Sequence, residues 1–156
     1  MENVRAALMR QRPARFLLGI IFLMSISVPA FASANVTCQI DDRYIEFELE
    51  AIAGRAGPIV QVQVGSIVIK PAAGVTLASP KITFDRTNIV QQWDLGGDLR
   101  LQIEAGDDAA KENVNLVIFA TLNSKTDKYS GRYVLKISSA GKTKELKGRI
   151  KECEAG

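Results

Sequence analysis

The sequence predicts an all-β domain, an antiparallel sandwich or barrel of about 8–9 strands, preceded by a cleavable signal peptide. Apolar and polar residues alternate with period two through most of the chain after residue 34, and no segment there sustains a helical period. Turn residues, notably Gly96-Gly97 and Ala140-Gly141, cut that alternation into strand-length pieces.

The export signal comes first. Arg5, Arg10, Arg12 and Arg15 precede an uncharged apolar run over residues 16–28, and Pro29-Ala30-Phe31-Ala32 supplies an A-x-A cleavage pattern. The run is about 13 residues, short of the roughly 20 that a membrane-spanning helix needs. Cleavage is expected after Ala32 or, through Ala32-Ser33-Ala34, after Ala34. The expected organisation is a signal peptide at 1–32 and a single all-β domain at 33–156, in a periplasmic or secreted bacterial protein. Removing the signal leaves 16 basic and 16 acidic residues, so the formal +3 of the whole chain belongs to the targeting segment. Neither nucleic-acid binding nor membrane insertion after cleavage is expected.

The strands follow in order. Val36, Cys38 and Ile40 alternate with polar neighbours, Asp41-Asp42 supplies a turn, and Ile45, Phe47 and Leu49 alternate with Glu46, Glu48 and Glu50. Residues 59–70 form a β-branched run with Val60, Val62 and Val64 on one side and a bulge expected at Gly65. Residues 71–80 read as a loop, and short strands are expected at 81–84, 88–95 and 98–104, with Leu99, Leu101 and Ile103 sharing a face. Residues 106–112 are expected to make one helical turn with an aspartate cap. Three well-patterned strands close the chain at 113–122, 128–138 and 143–153.

Cys38 and Cys153 are the only cysteines, and an even pair in an exported chain predicts a disulfide that ties the two ends of the domain together. Their spacing fits neither a C-x-x-C redox pair nor a metal site. There is no histidine, which excludes Ser-His-Asp and Cys-His catalysis and removes the usual zinc and copper ligand. No catalytic residue, metal site or cofactor is expected; carboxylate chemistry is what remains, and the protein is read as not an enzyme.

Charge is distributed unevenly. Residues 33–112 carry seven basic and twelve acidic groups, whereas residues 113–156 carry nine and four. One reading is a ligand patch of Arg132, Lys136, Lys147, Arg149 and Lys151 for an acidic partner. The favoured reading is internal, with Lys147, Arg149 and Lys151 balancing Glu46, Glu48 and Glu50 across strands that the disulfide brings near one another. Trp93, on the strand face of Ile89 and Leu95, is expected to be a buried anchor, as are Tyr129 and Tyr133.

Ser130-Gly131-Arg132-Tyr133 resembles, over four residues, the Ser-Gly-x-x-Tyr loop of periplasmic lysozyme inhibitors, which are small exported β proteins with disulfides; it is one residue shorter and falls within an expected strand. The function expected is therefore a periplasmic, non-catalytic binding or envelope-associated protein, lysozyme-inhibitor-like in its sharpest version. Its expected partner is an envelope protein or an acidic polysaccharide. The rivals are a carboxylate-dependent hydrolase of envelope polysaccharide and a structural subunit assembling through an exposed strand at residues 59–70.

Overall fold

Period-two alternation is realised as nine strands in the computed structural model, which describes residues 34–54, 58–126 and 128–155. The expected signal peptide lies outside the described residues. The strands are β1 (Ala34–Asp41), β2 (Ile45–Ala53), β3 (Ile59–Ile69), β4 (Lys81–Thr83), β5 (Ile89–Leu95), β6 (Asp98–Asp107), β7 (Glu112–Asn123), β8 (Lys128–Ser139) and β9 (Lys142–Ala155). They form one antiparallel sheet in the order β4-β3-β2-β1-β9-β8-β7-β6-β5, curved into a half-barrel. A sandwich would need two sheets, so that alternative is set aside. No α-helix occurs among the described residues.

The order is two meanders, β1 to β4 and β5 to β9, joined where β1 pairs with β9. At that joint Cys38 stands opposite Cys153, and the two are disulfide-bonded. The free edges, β4 and β5, are consecutive in the chain and linked through a 3-10 turn at Arg86–Asn88. Asp85 caps that turn, its carboxylate accepting from Thr87 N at 2.7 Å. Arg86 donates from Nε to the Ile59 carbonyl of β3 at 2.6 Å and from Nη1 to the Ile89 carbonyl of β5 at 3.0 Å. Asn88 Nδ2 donates to the Glu104 carbonyl of β6 at 2.9 Å. Side chains thus bridge the seam where ladder bonds stop.

One face of each strand turns inward, as the alternation requires. Phe47, Ile67, Leu101, Ile103, Leu116, Ile118, Leu135 and Ile137 are fully buried there, each contributing about 1.5–3 kcal/mol. Tyr129 and Tyr133 are buried as expected. The 71–80 loop also feeds this core: Ala73 is buried, Val75 and Leu77 pack against it, and the Glu112 carboxylate accepts from Ala78 N at 3.0 Å.

Two expectations are corrected. β3 pairs with β4 only over Ser66–Val68, so residues 59–64 have no strand neighbour on that side among the described residues. Its irregularities fall where Glu50 and Ala51 pair with Val64 and Val62, and where Ile52 and Ala53 pair with Gln61 and Ile59, not at Gly65. Val64 faces outward opposite Glu50 before the first shift, and Val60 is the residue the second shift leaves without a partner, so both are exposed. Gly65 instead makes room for Phe84, since a Cβ there would sit 2.3 Å from the Phe84 carbonyl oxygen. Residues 106–112 form no helix, since β6 runs to Asp107 and 108–111 is a β6–β7 turn closed by Lys111 N donating to the Asp108 carbonyl at 3.2 Å. The expected aspartate cap is present: the Asp107 carboxylate accepts from Ala109 N at 2.8 Å and Ala110 N at 3.2 Å.

Candidate functional site

The outward face of β5 to β9 carries a single row of aromatic and arginine side chains. Register sets Trp93 opposite Arg100, Arg100 opposite Phe119, Phe119 opposite Arg132, and Arg132 opposite Arg149. Alternation alone turns Arg100, Arg132 and Arg149 outward, because Leu99, Leu101, Tyr133 and Ile150 flank them in the core. Trp93 joins them through a register shift between Ile89 and Gln91, which inserts Val90 and reverses the facing of the residues beyond. Trp93 is therefore 42% exposed and not the buried anchor its spacing suggests.

The row is stacked. The Arg100 guanidinium lies 4.5 Å from the Trp93 ring centroid and 5.8 Å from that of Phe119, and the Arg132 guanidinium lies 5.4 Å from Phe119 on the other side. Such contacts are worth about 0.5–1 kcal/mol each at exposed sites. They orient the guanidinium planes and leave N–H edges free for a bidentate acid group. Among the described residues, Arg100, Arg132 and Arg149 make no ion pair. Arg132 and Arg149 face one another on adjacent strands, an arrangement that costs stability unless an anion lies between them.

Grooves flank the row. One, of about 410 Å³, runs across β6, β7 and β8 between Asp98, Arg100, Phe119, Thr121, Ser130 and Arg132. The other, of about 640 Å³, lies toward β5 between Val90, Trp93, Arg100, Gln102 and Val117. In the first, Thr121 Oγ1 donates to Asp98 at 2.9 Å.

The anticipated ligand patch is thus divided. Arg132 and Arg149 belong to the row, whereas Lys147 and Lys136 are held by Glu145 at 3.0 Å and 3.8 Å. The Lys147 hydrogen bond and charge, with help from Lys136, keep the Glu145 carboxyl below its ordinary range. The Lys151 side chain lies outside the described residues. The anticipated pairing with Glu46, Glu48 and Glu50 does not form for Lys147 and Arg149, because β1 is interposed between β9 and β2. Arg100, Phe119 and Asp98 join the site through strand pairing, not through any charge cluster or motif in the sequence. Ser130, Gly131, Arg132 and Tyr133 lie within β8, with Tyr133 buried, so this segment is no protruding loop.

No protein-family model, curated protein or solved structure matches the chain. The row's own geometry therefore carries the functional argument.

Proposed function

We propose that the chain is an exported, non-catalytic binding protein of the bacterial envelope whose outer sheet face takes an acidic partner. The observation that carries this is the row itself: three exposed arginines without carboxylate partners among the described residues, two of which, Arg100 and Arg132, lie against the Trp93 and Phe119 rings beside open grooves. A protein that used its outer face only for solubility would intersperse the two signs. Export is supported by the N-terminal pattern and by the disulfide, which suits an oxidising compartment. Lysozyme inhibition draws no support from the resembling segment, whose tyrosine is committed to the core.

Trp93 is the only tryptophan of the chain and stands at the end of the row, so its fluorescence reports occupancy directly. Acidic polymer is expected to shift that emission and to retain the protein in a salt-sensitive manner. The triple change Arg100→Gln, Arg132→Gln and Arg149→Gln is expected to abolish retention while lowering stability by about 1–3 kcal/mol, the three lost ring contacts less the relief of the Arg132–Arg149 repulsion. Retention that survives the triple change refutes the proposal.

A further inference from the structure

We infer that the acidic partner is a polysaccharide, a chain of sugar acids seated in the groove across β6, β7 and β8. This rests on the proposed anion-binding face and adds the chemistry of its ligand.

Neighbouring strands lie about 4.8 Å apart, so Arg100 on β6 and Arg132 on β8 are about 9.6 Å apart at the backbone, with Phe119 between them. Two cations flanking a half-buried ring suit a ligand that alternates acid groups with an apolar surface. A pyranose has such a surface in its axial C–H bonds, which pack on an aromatic face, while its carboxylate projects from the ring edge. A groove of about 410 Å³ lies within the range of small-ligand sites.

Asp98 decides between classes of polyanion. It lines the same groove as the two arginines and accepts from Thr121 Oγ1 at 2.9 Å, and the exposed Ser130 hydroxyl stands opposite Thr121 on the next strand. A carboxylate among cations repels a phosphate chain or an acidic peptide; the phosphate chain brings it no donor, and the peptide brings only its backbone N–H groups. A sugar acid brings both kinds of group: carboxylates for Arg100 and Arg132, and hydroxyls that donate to Asp98 and exchange hydrogen bonds with Thr121 and Ser130. A groove with two arginines, one aspartate and two hydroxyls is thus matched by an acidic glycan better than by any uniformly anionic polymer.

The experiment titrates the signal-free, disulfide-bonded protein with four probes while following Trp93 emission and heat. The probes are oligogalacturonate, its fully methyl-esterified form, poly-L-glutamate of matched charge, and oligo-dT. Oligogalacturonate is expected to bind at least about tenfold tighter than the other three. Asp98→Asn is expected to weaken it about three- to tenfold, the effect of one lost hydrogen bond, and to strengthen oligo-dT and polyglutamate by removing a negative charge. Ser130→Ala, which removes a hydroxyl that makes no hydrogen bond among the described residues, is expected to weaken oligogalacturonate alone. Equal affinity for polyglutamate or oligo-dT, or uronate binding that tightens on Asp98→Asn, overturns the glycan inference and leaves the anion face standing. Failure of every anion to bind removes the face and the inference together.

Discussion

Tyr133 reaches past the strand beside it to hold a turn two strands away. It stands opposite Gly148 on β9, where a Cβ would lie 2.2 Å from the tyrosine ring, so only glycine lets the ring lie flat across β9. Its hydroxyl then donates to Asp42 Oδ2 at 2.5 Å in the β1–β2 turn, whose other carboxylate oxygen accepts from Tyr44 N at 2.7 Å and Ile45 N at 3.0 Å. Burial pushes the Asp42 carboxyl up, but the bonds from Tyr133, Ile45 and Tyr44 and the Lys70 charge outweigh it and hold the group below its ordinary value. Burial, then the bond to Asp42, raises Tyr133 far above its ordinary 10. The signs follow. A depressed carboxyl stabilises the fold above about pH 4 and loses that contribution as pH falls through its folded value. A raised phenol stabilises below about pH 10 and loses its contribution as pH climbs toward its folded value. Tyr133→Phe is therefore expected to cost about 1–3 kcal/mol near neutrality. Urea unfolding from pH 3 to 11 should show the gap between wild type and variant narrowing at both extremes, and a gap that stays constant contradicts the assignment.

Strand pairing decides which charges meet, and it does so against the expectation from the charge blocks. Glu145 is shared by Lys147 on its own strand and by Lys136 across the β8–β9 ladder, while Glu48 faces Gln39 of β1. A double-mutant cycle on Lys136→Gln and Glu145→Gln is expected to show coupling of about 0.2–1 kcal/mol, as exposed pairs do. The same cycle on Lys147→Gln and Glu48→Gln should show none beyond error, and coupling there would mean that β1 does not separate the two strands. Much of the outer row was legible in turn chemistry. A two-residue Gly96-Gly97 turn places Leu95 opposite Asp98 and, counting back, Trp93 opposite Arg100. Ala140-Gly141 likewise places Ser139 opposite Lys142 and Arg132 opposite Arg149. Phe119 is different, because the β6–β7 and β7–β8 connections are longer and do not declare their register in sequence. Trp93 was assigned to the wrong face for a related reason: one extra residue at Val90 inverts the alternation, and a bulge leaves no mark in a pattern of apolar residues. The inward faces of β2, β6 and β7 follow their alternation, and β8 does so except at the exposed Gly131, beside a register shift in the β8–β9 ladder.

At the scale of the molecule, the sheet is held by hairpins between sequence neighbours everywhere except at one joint and one seam. The joint pairs β1 with β9 over Val36 to Gln39 and Glu152 to Ala155, a short ladder that alone must bring together two ends of the domain. Closing that distance costs chain entropy, and the Cys38–Cys153 bridge, spanning 115 residues, removes most of that cost from the unfolded state. The chain-entropy model values a loop of this size at about 5 kcal/mol. The seam is held by single side chains, and loss of the Arg86 bonds to the Ile59 and Ile89 carbonyls is worth about 1–3 kcal/mol by comparison. Replacing both cysteines with alanine is therefore expected to destabilise the protein more than Arg86→Gln does, by a margin that denaturant titration resolves. It is also expected to leave the anion face intact wherever the fold persists, because Trp93, Arg100, Phe119, Arg132 and Arg149 all stand on the β5 to β9 meander, which the disulfide does not cross. Free-thiol titration of the unreduced, unfolded protein should find none. A cysteine-free variant as stable as the parent would show that the β1–β9 ladder closes the sheet unaided, and one that stays folded but loses polyanion retention would show that the joint sets the curvature on which the row depends.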